Sequence, residues 1–221
     1  MQIKILKGVQ SIIGDEQCIV IIDVYLASST IVTLFEKGAQ CILPVETIDE
    51  ALSLKNNDRI LIGEDSNQKV PSGFDYLNSP GNILNYDFSG KTIIFRSNNL
   101  TRALTRCCVN SKVFIACFLN LSSVVRKLKQ LSAENLINIV AVGRISEPGP
   151  EDELCAELLK NELLGIPYKY SEIKPLITSS PITSIVQRMC PSDIEYCARL
   201  NISTIVPEMV QEGKHKVIYP A

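Results

Sequence analysis

A chain of 221 residues that is 46% hydrophobic and 21% charged has the composition of a folded globular protein and is too apolar for a disordered one. Its formal net charge of −2, with no block of like charges, leaves out the electrostatic footprint of a nucleic-acid binder. The opening MQIKILKGVQ is too poor in apolar residues for a signal peptide, and no run approaches about 18 uninterrupted apolar residues, so neither export nor a membrane span is expected and a cytoplasmic location follows.

In chain order, branched apolar runs occupy 3–6, 18–23, 40–45, 59–63, 91–95, 112–117 and 137–143. Most are continuous rather than alternating, the pattern of strands covered on both faces. The pieces between them, 28–38, 47–55, 100–108, 120–132 and 151–164, have helical spacing and helix-start residues such as Thr47 and Asn120. This alternation predicts an α/β class, a layered α/β/α arrangement around a largely parallel, mixed sheet. The stretch 65–90 breaks the rhythm with Pro, Gly, Asn and Ser, and a long irregular segment in a compact domain is often functional. After Pro167 the sequence is proline-punctuated and weakly helical. Residues 1–167 are therefore read as the core carrying the site, and 168–221 as a C-terminal helical cap or subdomain packed on it. No internal repeat or low-complexity tract is visible.

The eight cysteines sit mostly inside apolar runs without paired CxxC spacing, which points to buried free thiols rather than a zinc or redox motif. A Cys190–Cys197 bridge is the one pairing the spacing suggests. His215, the only histidine, lies in the polar segment EGKHK, which would have to fold back over the strand edge to take part in chemistry there. That argues against a phosphohistidine or a Ser-His-Asp mechanism. Neither GxxxxGK[ST] nor GxGxxG occurs, so the usual nucleotide cradles are missing.

Open α/β sheets bind ligands beyond the carboxyl ends of their strands. Asp23 follows IVII, Glu64 and Asp65 follow RILIG, Arg96 to Asn99 follow KTIIF, Asn120 follows the run ending at Cys117, and Glu151 and Asp152 open a helix after 137–143. Convergent strand ends would gather these carboxylates and amides with Arg102. Carboxylate oxygens without histidine or thiolate favour a hard cation such as Mg²⁺, shared with a phosphate. Asp23, Glu64 and Asp152 are the candidate metal ligands and catalytic groups. Ser28, Ser29 and Thr30 are placed at a helix start, where free N–H groups attract anions. Each signal alone has a plainer reading as a cap or turn residue.

Taken in order, IDVYLASSTIVTLFEKGAQCILPVETIDEAL, IGED, GFDYLNSP, GKTIIFRSNNLTRAL, FLN, EDELCAELL and DIEYCARLN…IVP resemble the 2-phosphosulfolactate phosphatase family over residues 17 to 207. The resemblance implies a Mg²⁺-dependent phosphomonoester hydrolase of the coenzyme M pathway. Such an enzyme takes a small anionic phosphorylated substrate, phosphosulfolactate, and works on an α/β fold as a homodimer. It carries over Asp23, Ala27 and Ser28; Glu64; Gly73, Phe74, Asp75, Asn78, Ser79 and Pro80; Asn99, Thr101 and Arg102; Asn120; and Asp152. The chain departs from the pattern at Leu26, where an arginine is expected, at Asp65 in place of the arginine of GER, and at Leu100 in place of the glycine of NGT. Two other functions suit the same residues: a homologue without hydrolysis that serves as a binding or regulatory module, and a phosphate-handling enzyme with a different substrate, such as a transferase.

Overall fold

The strand CIVII is buried at every position, because both of its faces are covered by helices or by other strands. In the computed structural model, which describes residues 2–12, 17–131, 136–144 and 149–221, it is the second of nine strands. These are β1 (Gln2–Lys7), β2 (Cys18–Ile22), β3 (Cys41–Val45), β4 (Arg59–Gly63), β5 (Thr92–Arg96), β6 (Lys112–Ala116), β7 (Leu136–Ala141), β8 (Pro207–Glu212) and β9 (His215–Pro220). They form one mixed, mostly parallel sheet in the order β1-β7-β2-β6-β8-β9-β3-β5-β4. The helices are α1 (Ala27–Glu36), α2 (Ile48–Ser53), α3 (Pro80–Ile83), α4 (Leu100–Arg106), α5 (Leu121–Lys129), α6 (Pro150–Leu164), α7 (Tyr170–Thr178), α8 (Thr183–Met189) and α9 (Ser192–Cys197). The fold is α/β, as the alternation of runs predicts. The last residue of the helix expected over 120–132 lies outside the described residues.

Side-chain alternation along β2 divides the core. Val20 and Ile22 pack with Phe114, Ile137 and Ile139 under α5 and α6, and α7 to α9 extend that layer through Ile177, Ile182, Val186 and Cys197. Ile19 and Ile21 point the other way, into a cluster with Ile31 and Leu34 of α1 and Leu100 and Leu104 of α4. The same cluster takes Ile42 from β3, Ile62 from β4, and Ile93 and Phe95 from β5. The sheet therefore curls around α1 and α4, with both of its parallel blocks facing one core.

The segment 168–221, read as a cap, divides in two. Its helices cover one face, but its last stretch enters the middle of the sheet as the hairpin β8–β9. Val113 pairs with Met209 and Ile42 with Ile218, both antiparallel. A two-residue turn opens on Gly213 at φ 58°, a left-handed value that glycine adopts at little cost. The hairpin joins two blocks whose strands formally run in opposite directions. Six steps separate β2 from β4 in the sheet order. A twist of about 20–25° per step accumulates to roughly 120–150° over such a span. That rotation swings the carboxyl ends of the two blocks toward one another.

Among the described residues no helix is long and apolar enough to cross a membrane. All eight cysteines are free, Cys190 and Cys197 included.

Candidate active site

Asp23 sits in the turn between β2 and α1, and the three hydroxyls beyond it hold that turn. The Asp23 N–H donates to Ser28 Oγ at 2.9 Å, Ser29 Oγ donates to Val24 O at 2.8 Å, and Thr30 Oγ1 donates to Leu26 O at 2.9 Å. All three side chains are fully buried in the first turn of α1. Expected as anion-binding groups, they are placed where they bond backbone and do not line the cleft.

Glu64 follows β4. Gly63 lets that strand end approach β5 closely, since a Cβ there would stand 2.6 Å from Arg96 O. Arg96 clasps the two ends: its Nη1 donates to Glu64 O and, at 2.8 Å, to Asn98 Oδ1. The Asn98 N–H donates to Glu64 Oε1 at 2.8 Å. Among the described residues, neither Glu64 Oε2 nor Asn78 Oδ1 has a hydrogen-bond partner, although both atoms are buried. Asn78 comes from the irregular stretch 65–90. Its neighbour Ser79 is tied down by Asp193 of α9.

Asp152, in the first turn of α6, is already committed to backbone. Oδ1 accepts the Val24 N–H at 2.7 Å and Oδ2 accepts the Gly143 N–H at 2.9 Å. Gly149 permits this closeness, because a Cβ there would lie 2.8 Å from Gly143 Cα and 2.9 Å from Asp152 Oδ2. The carboxylate latches the end of β7 and the turn after β2 to the start of α6.

These elements enclose a cleft of about 610 Å³, mouth included. Asp23, Glu64, Glu151 and Asp152 supply its acids, Gln68, Asn78, Asn98 and Asn99 its amides, and Arg144 its one cation among the described residues. Ile182, Ile185, Val186 and Met189 of α8 close another side with Leu26. Two of the expected substrate-binding residues thus reach the cleft, Asn78 and Asn99. Arg102 lies next door, in a smaller pocket that shares Asn99 and Arg144 with it. Thr101 is buried and donates to Ser97 O at 2.8 Å. Asn120 is also buried: its Oδ1 accepts the Cys117 N–H at 2.9 Å, and its Nδ2 donates to Ile115 O at 3.2 Å and Ile205 O at 3.0 Å. It anchors the segment that leads into β8 and faces no ligand space.

Four carboxyl groups against one arginine cannot all stay ionised in a dry cleft without further positive charge. Burial pushes Asp23 up to about 7, and the charge of Glu64 adds to it, while the N–H groups of Ala27 and Leu100 draw it down. Burial also pushes Glu64 up to about 7, against the pull of the Asn98 N–H, the Asn78 side chain and Arg96. The Asn78 side chain is near enough to act on Glu64 electrostatically, yet no donor meets Oε2 in hydrogen-bonding geometry. Asp152 is raised well above the ordinary carboxylate range, by burial first and then by Asp23 and Glu151.

Among the described residues, no three acidic, cysteine or histidine side chains stand close enough together to hold a metal ion by themselves. The expected three-carboxylate cage of Asp23, Glu64 and Asp152 is therefore not preformed, and Asp152 has already spent both oxygens on backbone. Two carboxylates and an amide oxygen remain, with two buried acceptors lacking donors. All are hard oxygen donors, and Mg²⁺ commonly takes only one or two carboxylates and keeps several waters. The residues fit such an ion.

Sequence reasoning passed over three contributors to the walls. Glu151 opens the same helix as Asp152 in the sequence, and the family resemblance points to Asp152 alone. Gln68 lies in the irregular stretch. The α8 residues carry a signal that could have found them, an apolar i, i+3, i+4, i+7 stripe.

Fold and site together define an α/β protein with a buried, acid-lined cleft at converging strand ends. The model of the 2-phosphosulpholactate phosphatase family matches residues 6–212, and the chain belongs to that family. A protein of Thermoplasma volcanium named "Probable 2-phosphosulfolactate phosphatase" is 32% identical over 197 residues, covering 88% of this chain and 90% of its own. Proteins of the same name from Pseudothermotoga lettingae and Thermotoga petrophila are 32% and 34% identical, covering 90% and 86% of this chain and 92% and 88% of theirs.

Proposed function

We propose that the protein is a divalent-cation-dependent phosphatase that hydrolyses a small phosphorylated acid related to phosphosulfolactate. The observation that carries this reading is the pair of buried acceptors, Glu64 Oε2 and Asn78 Oδ1, left without donors in the same cleft as Asp23. Buried oxygen lone pairs need a donor or a cation, and the family is one of phosphatases. Asp23, Glu64 and Asn78 would hold Mg²⁺, which when bound neutralises phosphoryl oxygens as they gain charge.

The chain's own groups supply the rest. Arg144 and Asn99 face the cleft where phosphoryl oxygens would lie, and Arg102 backs them from the adjoining pocket. Glu151 is the carboxylate left to orient water and accept its proton, since Asp152 is held by two backbone donors. Its orientation is fixed by Ser180, whose hydroxyl donates to Glu151 Oε2. The apolar α8 wall excludes bulk water, which strengthens every charge interaction inside.

The test is phosphate release from a panel of phosphomonoesters with Mg²⁺ and with chelator. Release that needs the cation and falls at least about a hundredfold in Asp23→Asn is expected. No release from any ester in the wild type would overturn the hydrolase reading and leave a binding module.

A further inference from the structure

The cleft has two unlike sides, and the difference bears on what the substrate carries besides its phosphate. Along α8, residues 182, 185, 186 and 189 present isoleucine, isoleucine, valine and methionine to the carboxylates. Ser184, Gln187 and Arg188 lie on the opposite, exposed face, so the one cation of the helix points to solvent. Leu26 joins the apolar wall from the turn after β2. Among the described lining residues, the cations are Arg144, which lines both the cleft and the adjoining pocket, and Arg102 in that pocket.

A substrate group directed toward α8 therefore meets mainly apolar side chains, and the hydroxyl of Tyr25, which also lines the cleft, is already given to Ile194 O at 3.1 Å. A sulfonate or second phosphate placed there would lose hydration and gain no donor, whereas an aliphatic group would bury apolar surface on both partners. Arg102 and Arg144 can meet a phosphoryl group and one carboxylate. Resting on the phosphatase reading above, we propose that the substrate is the phosphate monoester of a small hydroxy acid bearing an aliphatic group, not a second strong anion, against Leu26, Ile182, Val186 and Met189. The wall formed by Leu26 and α8 is then the specificity-determining element of the site.

Two ester pairs test this, the 2-phosphates of 2-hydroxy-4-methylpentanoate and of sulfolactate, together with their phosphonates in which CH2 replaces the ester oxygen. Binding of each phosphonate is measured by calorimetry with Mg²⁺ present, and phosphate release is measured from each ester. The aliphatic phosphonate should bind the wild type at least about tenfold more tightly, the scale of discrimination an apolar pocket provides. Leu26→Arg should reverse the order. Met189→Lys, at a half-buried position on the same wall, should narrow the ratio in the same direction if Leu26→Arg fails to fold. Equal or tighter binding of the sulfonate by the wild type, or no saturable binding of either compound, would overturn the inference even if phosphate is released. Preferred binding of the aliphatic compound without release from either ester would keep it and overturn the phosphatase reading instead.

Discussion

Asp23 and Asp152 are both buried aspartates at one cleft, yet they serve it differently. Asp152 gives its two oxygens to backbone donors on two other segments, so its loss leaves the Val24 and Gly143 N–H groups buried and unpaired. At about 1–3 kcal/mol for each unsatisfied group, Asp152→Ala should lower unfolding free energy by roughly 2–6 kcal/mol, read from urea denaturation. Asp23→Asn should cause no loss of stability, and at neutral pH a gain, while removing turnover. Comparable stability losses in the two variants would contradict this division of labour. Asp23 and Glu64 were legible because a carboxylate ending an apolar run is visible in a bare sequence. The roles of Ser28, Ser29 and Thr30 were not, because a helix start reads the same whether its first turn faces solvent or core. Asn120 shows the same limit: it marks a helix start in sequence, but its amide turns back to close the end of β6.

Among the elements, the seven runs read as strands stand as β1 to β7, since continuous branched residues leave few alternatives. The hairpin β8–β9 escaped notice because PEMVQE and HKVIYP interleave apolar with charged residues and are bounded by prolines. Its value is set by distant neighbours, β6 and β3, that local pattern cannot name. One residue of it does further work. Lys216 Nζ, on β9, donates to the carbonyls of Leu104, Thr105 and Cys107 at 2.8, 2.8 and 2.7 Å. It thereby caps the carboxyl end of α4, whose amino end presents Asn99 to the cleft. Lys216→Met keeps the stem and removes the three charged bonds. It should cost about 1–3 kcal/mol and raise KM more than it lowers kcat. An unchanged denaturation midpoint would show that water replaces the ammonium without loss.

For the molecule as a whole, the cleft makes folding pH-dependent in a direction opposite to most acidic proteins. Asp23 and Glu64 rise from ordinary values of 3.8 and 4.5 to about 7 in the folded state. Between those limits the native protein holds protons that the unfolded chain has released, so stability falls as pH rises. The contribution is fully present below about pH 4 and is lost as pH passes through 7. Metal-free protein should therefore melt at a lower temperature at pH 8 than at pH 5.5, and Asp23→Asn should flatten the difference. Added Mg²⁺ should raise the melting temperature more at pH 8, where ionised oxygens compete best for it. Equal Mg²⁺ effects at the two pH values would remove these carboxyls from the cation's site.

The position of β8 and β9 also sets the order in which this protein can be finished. They come after every other described strand in the chain, yet they occupy the middle of the sheet between β6 and β3. During synthesis, the inner edges of β6 and β3 stay open until residues 207–220 have left the ribosome. Unpaired edges invite association with other chains, and joining them requires closure between residues as distant in sequence as Ile42 and Ile218, a slow event. Maturation is thus a suture made last, and growing cells would have to shelter the halves until it is drawn.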